Sequence, residues 1–113
     1  QRQRVMIARA LMMNPKVLLA DEATSMLDAS LRVSALNVLQ HLRENLGLTV
    51  LFITHDIGQA CYLADEVVVM EHGLVVEQGT TDAVIFDPKN AYTKRLLADV
   101  PDLKGSLKSR KLD

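Results

Sequence analysis

Tryptophan is absent from this 113-residue sequence, aromatic residues make up only 4%, and a single cysteine, Cys61, stands alone. One thiol excludes an internal disulfide and fits a reducing compartment. No apolar run approaches the roughly 20 residues that cross a bilayer as a helix. Neither sign of charge dominates: 13 Lys and Arg face 14 Asp and Glu, for a formal net charge of -1. That balance removes the basic field of a nucleic-acid or anionic-membrane binder. Glycine is sparse too. Gly47, Gly58, Gly73, Gly79 and Gly105 are all there are, and none precedes a lysine. No G-x-x-x-x-G-K-S/T phosphate cradle therefore lies within these residues. His41 and His72 lack Cys or His neighbours at metal-ligand spacing, which argues against zinc.

What remains is the composition of a soluble globular protein, 49% hydrophobic and 24% charged. QRQRVMIARAL is helical in pattern from its first turn with no N-cap before it, as in the interior of a longer chain. Its apolar face would be Val5, Ala8, Leu11 and Met12, with Arg2, Arg4 and Arg9 on the wet side. Asn14-Pro15 ends it, because proline disfavours helical geometry in the residue before it. Residues 17–20 form a short continuous apolar run, the pattern of a strand buried on both faces. Residues 29–46 read as the clearest helix, with a stripe of Leu31, Ala35, Val38, Leu39, Leu42 and Leu46. Asp28 is placed as its N-cap and Gly47 as its stop.

Residues 49–54 predict a second buried strand, 56–64 a short helix and 66–70 a third strand. Glu71-His72-Gly73 then turns the chain into an antiparallel hairpin partner. Short helices near 81–86 and 91–98 flank Asp87-Pro88, and the tail from Lys104 is polar, basic and expected to be poorly ordered. Apolar strands alternating with helices give an α/β fold with a parallel sheet. Ligands in such sheets sit at the carboxyl ends of the strands. The residues to watch are therefore Asp21-Glu22, Thr54-His55-Asp56 and Glu71-His72.

Asp21 and Glu22 leave one strand together, so their side chains point to different sides. One carboxylate can hold Mg²⁺ with waters and phosphate oxygens while the other positions or deprotonates an attacking water. A solvated strand end accepts the same pair, and on this pair alone that reading wins, because an apolar run ending in Asp-Glu is common. His55 follows the next strand and lands at the same sheet edge, where imidazole can bond a phosphate oxygen or the attacking water; taken singly, capping the next helix is the better reading. Cys61 reads as a small buried apolar residue, and the methionines at 6, 12, 13, 26 and 70 as core filler.

Taken in order, these segments resemble the ATP-binding-cassette ATPase domain. Gln1-Arg2-Gln3-Arg4-Val5 resembles the end of the family's signature sequence, VLLADE its Walker B strand, Ser25-Met26-Leu27-Asp28 its D-loop and FITHD its switch region. DEVVVMEHGLVVEQGT resembles its last strand and hairpin. DPKNAYTKRLLADVP resembles the C-terminal segment of importers of the oligopeptide, dipeptide and nickel type. The resemblance implies a P-loop NTPase-type (RecA-like) sheet that is incomplete here, spanning residues 1–103, with 104–113 as tail. It implies ATP and Mg²⁺ as cofactors, Asp21 on the metal, Glu22 as general base, and His55 towards the γ-phosphate. Gln1 and Asp28 would act on the opposite site of a head-to-tail dimer with a second ATPase subunit. Transmembrane permease subunits would hold the assembly at the inner face of the cell membrane, and no nucleic-acid partner is implied. A soluble ATPase of DNA repair or translation shares these motifs, and a non-catalytic truncated remnant or interaction module fits the missing phosphate loop.

Two positions depart from the family pattern: Ala23 stands where proline is usual and Met26 where alanine is usual. Neither removes a charge. The resemblance also places the phosphate-loop strand between the strands at 49–54 and 66–70. Lacking it, the chain should leave a gap of unpaired backbone, and then rearrange, swap strands with another copy or belong to a longer ordered chain. The 113-residue chain alone is expected to bind ATP no tighter than millimolar in a nucleotide titration; micromolar affinity contradicts that expectation.

Overall fold

The computed structural model describes residues 2–100, so Gln1 and the tail from 104 lie outside the described residues. The elements run α1 (Arg2–Leu11), β1 (Val17–Asp21), α2 (Ala29–Leu46), β2 (Thr49–Ile53), α3 (Ile57–Leu63), β3 (Glu66–Glu71), β4 (Leu74–Thr80), α4 (Thr81–Phe86) and α5 (Ala91–Ala98). The class is mixed α/β. The chain divides after His55 into two compact units.

The first unit is a β-α-β crossover preceded by α1. β1 and β2 pair in parallel, from Val17 opposite Thr49 to Asp21 opposite Ile53. Between them α2 starts on Asp28, whose Oδ1 accepts the Leu31 N–H at 3.1 Å. It stops at Gly47, at φ 63°, where a side chain would be strained. Leu18 and Ala20 of β1, Leu36 and Leu39 of α2, and Leu48 supply the buried apolar residues.

The strands are not buried on both faces, as their continuous apolar runs led us to expect. Val17 and Leu19 are each 60% exposed, and Leu51 and Ile53 on the same face are also in solvent. Within this unit only alternate residues are covered. The stripe on α2 is covered at its middle and bare at its ends: Leu39 is buried and Ala35, Val38 and Leu42 are half-buried, while Leu31 and Leu46 are exposed. Leu36, outside the expected stripe, is buried as well. On α1, Val5, Ala8 and Met12 are exposed and Leu11 is half-buried, so the expected apolar face is largely uncovered.

In the second unit β3 and β4 form an antiparallel hairpin closed by His72-Gly73, both at positive φ (50° and 80°). That pattern is the type I′ turn, whose twist matches the strands it joins. Val67 and Val69 pack with Val84 of α4, flanked by Ala64, Val76, Tyr92 and Leu96. Ile57, Cys61 and Ile85 form a second cluster with Leu96, Leu97 and Val100. Burial, and next the Asp56 charge, pushes the Cys61 thiol up to about 11, so it is an inert core residue as expected. Thr81 ties the start of α4 back through its hydroxyl to the Ala64 carbonyl at 2.6 Å.

Among the described residues the strands form two two-stranded sheets, β1 with β2 and β3 with β4, so the sheet is interrupted, as the lack of a phosphate-loop strand led us to expect. The boundaries of α4 and α5 coincide with those read from the sequence, since Thr80 and Asn90 supply their caps.

Glu77 of β4 accepts the backbone N–H groups of Lys89 (2.7 Å) and Asn90 (3.1 Å), fastening the approach to α5. The Lys89 N–H foremost, with the Asn90 N–H adding to it, holds the Glu77 carboxyl below its ordinary 4.5. A depressed folded-state value means the contribution is present above pH 4.5 and is lost as pH falls through the lower folded value. Amide exchange at Lys89 and Asn90 is expected to accelerate on acidification below that point, and Glu77→Gln to flatten the dependence. In denaturant melts, Leu39→Ala should cost about 2–5 kcal/mol, whereas Leu31→Ala should stay within about 0.5 kcal/mol; equal losses would mean that Leu31 is covered as well.

Candidate active site

The parallel ladder does not end with β1. The N–H of Glu22 donates to the Ile53 carbonyl at 2.8 Å, one step beyond the last strand pair. Glu22 itself takes φ 49°, in the left-handed region that few non-glycine residues enter. Ala23 follows it, with the freedom in φ that the missing proline leaves. The chain then folds back on itself: the Ser25 N–H (3.2 Å) and the Ser25 hydroxyl (2.8 Å) both donate to the Glu22 carbonyl. Thr24 is 2% exposed and anchors the loop inward, and the Leu27 N–H donates to its carbonyl at 3.2 Å.

This turn presents the Glu22 side chain to the end of β2. His55 Nδ1 lies 3.1 Å from Oε2 and 3.2 Å from Oε1 of Glu22. A carboxylate only accepts, so the proton of this contact sits on Nδ1, and Nε2 is the ring nitrogen left for another ligand. The imidazole is 79% exposed and the carboxylate 39%, so both are open to solvent and the contact is screened as an ion pair. Its value lies in orientation.

Asp21 is at the same edge but elsewhere. It is exposed on the face of β1 that carries Val17 and Leu19, and among the described residues it makes no side-chain hydrogen bond. No group of three His, Cys, Asp or Glu residues disposed to hold a metal occurs among the described residues. One exposed carboxylate nonetheless suits Mg²⁺, which keeps several waters and takes the rest of its ligands from phosphate.

Asp28 is placed with the loop and not with the pair. Its Oδ1 accepts from Leu31 N–H (3.1 Å) and from the Ser30 hydroxyl (3.0 Å). The Leu31 N–H first, and then the Ser30 hydroxyl, hold its carboxyl below the usual carboxylate range, with Arg32 adding to the effect. The capping reading is therefore the one the geometry displays. Gln1, the remaining residue singled out from the sequence, lies outside the described residues.

Three features were not foreseen: the left-handed φ of Glu22, the burial of Thr24, and the bond from Arg32 Nε to the Leu27 carbonyl at 2.8 Å. Thr24-Ser25 after an acidic pair is a signal for side-chain-bonded turns and could have been read. A long side chain reaching back five residues leaves no sequence signal. Arg4, assigned to the wet face, bonds the Ser34 hydroxyl of α2 at 3.2 Å.

Residues 1–25 match the ABC transporter family. The chain is 44% identical over 112 residues to the dipeptide transport ATP-binding protein DppF of Haemophilus influenzae, covering 99% of this chain and 34% of that protein. It is 45% identical over 105 residues to the oligopeptide transport ATP-binding protein OppD of Bacillus subtilis, covering 93% and 29%. Against DppF of Escherichia coli the identity is 47% over 103 residues, covering 91% and 31%. The chain thus spans about a third of the length of the curated relatives it matches.

Proposed function

We propose, from its match to the ABC transporter family over residues 1–25 and its likeness to transport ATP-binding proteins, that the chain belongs to that family and is part of an ATP-hydrolysing subunit that powers import of peptides or a related small solute. The observation that carries the reading is the Glu22–His55 contact, formed at the carboxyl ends of two adjacent parallel strands. The names of the relatives, which are ATP-binding proteins of dipeptide and oligopeptide transport, support it.

In this reading Glu22 is the general base that takes a proton from the attacking water. His55 holds Glu22 through Nδ1–H and, as imidazolium, offers Nε2–H to an oxygen of the γ-phosphate. Asp21 would hold Mg²⁺, which when bound supplies neutralisation of phosphate charge. The strain of a left-handed Glu22, on the order of 1–3 kcal/mol, is the kind of cost retained where a side chain must be aimed. Gln1 and Asp28 are assigned to the opposite site of a head-to-tail dimer, Asp28 at the end of the loop that leads into α2. A P-loop NTPase-type sheet, a second ATPase subunit and membrane-embedded permease subunits complete the assembly, which sits on the cytoplasmic face of the cell membrane. No helix among the described residues is long and apolar enough to cross a membrane. Residues 1–103 are the part of the nucleotide-binding domain present, with 104–113 a tail.

Glu22→Gln in the full-length protein should leave ATP affinity within about threefold and lower turnover by at least a hundredfold, a range set by general-base catalysis. Nucleotide binding and phosphate release measure the two halves of that expectation. Unchanged hydrolysis removes Glu22 from the base role.

A further inference from the structure

The loop from Glu22 to Asp28 is clamped at both ends, and the two clamps differ in kind. At its start the bonds are local and backbone-centred: Glu22 N–H to Ile53 O, and Ser25 back to the Glu22 carbonyl. At its end one side chain from the first turn of α2 does the work. Arg32 Nε donates to the Leu27 carbonyl at 2.8 Å, in a partly buried setting. Arg32 N–H meanwhile donates to the Asp28 carbonyl at 2.9 Å, so backbone and side chain of one residue grip two consecutive carbonyls. The guanidinium charge also lies close enough to Asp28 to favour its ionised form. Among the described residues no other hydrogen bond constrains the Leu27 carbonyl.

Between the two clamps sit Met26, 92% exposed, and Leu27. Leu27 N–H bonds Thr24, and Thr24 is within two residues of Glu22. Freeing the Leu27 carbonyl would loosen that bond and, through it, the turn that fixes the unusual φ of Glu22. We infer that Arg32 is a positioning residue that sets the conformation of the Glu22–Asp28 loop, and through that loop the aim of Glu22. It touches no reacting atom. The inference rests on the proposed ATPase function of this site.

The test is steady-state kinetics on full-length protein assembled with its partners, comparing wild type, Arg32→Met and Arg32→Lys. Methionine keeps the apolar stem in its half-buried place and removes the donor; lysine keeps the charge and returns one donor. Loss of one charged hydrogen bond supports about a tenfold effect. The expected result is a roughly tenfold lower kcat for Arg32→Met at unchanged KM for ATP, with Arg32→Lys between it and wild type. A role confined to stability would lower Tm and leave kcat per folded molecule untouched, and that outcome overturns the inference. A raised KM at constant kcat overturns it as well. Should Arg32→Met not fold, Arg32→Lys is read alone: a kcat lowered about threefold at unchanged KM supports positioning, and wild-type kinetics overturns it. Wild-type protein without any turnover removes the proposed function and this inference together, which is distinct from an active wild type matched by Arg32→Met.

Discussion

Everything at the candidate site depends on one backbone hydrogen bond, from Glu22 N–H to the Ile53 carbonyl. It carries the parallel ladder one residue past β1 and so fixes the point at which the chain must leave the sheet. With the N–H committed, Glu22 can present its side chain to β2 only by a change of backbone hand, and its φ of 49° is that change. The same commitment places the Glu22 carbonyl where Ser25 reaches it twice. His55 then needs no special arrangement, because it lies two residues beyond Ile53 at the strand's own end. A contact between residues 33 apart in sequence is thereby fixed by a single step of strand register.

The two units solve the problem of holding short elements in different ways. The first relies on a crossover and on side chains from α2, namely Leu36 and Leu39 inward and Arg32 towards the loop. The second is built from neighbours in sequence: a hairpin, a helix tied to it by Thr81, and α5 fastened by Glu77 to the residues before it. Its polar anchors go to backbone groups, so they satisfy donors and acceptors that short helices leave open at their ends.

How much of this was legible varied with the physics of each feature. Caps and turns are local, so Asp28, Gly47 and His72-Gly73 announced themselves by residue type and the elements they bound were found to within a residue or two, whereas the capping roles of Thr80 and Asn90 were not read. Glu22 and His55 were legible through the rule that strand ends gather ligands. Burial was less so. Val17, Leu19, Leu51 and Ile53 are apolar yet exposed, because hydropathy states what a residue tolerates and not what lies opposite it. On α2 the middle of the expected stripe is covered while its ends, Leu31 and Leu46, are exposed, since periodicity does not say how far along a helix its neighbours reach. Pairing of β3 depends on which strands are present, and no local pattern encodes that.

The apolar character of both faces of β1 has a consequence for how its alignment is encoded. In a strand with one oily and one wet face, sliding by a residue exchanges the two and is punished by every side chain at once. Here a slide would exchange Leu18 and Ala20 for Val17 and Leu19, apolar for apolar, and hydrophobicity would scarcely notice. The information that selects one alignment must therefore come from the strand's polar terminus. Glu22, bonded by backbone to Ile53 and by side chain to His55, supplies it. The residues assigned to chemistry thus also act as the index mark by which two otherwise ambiguous strands find their place.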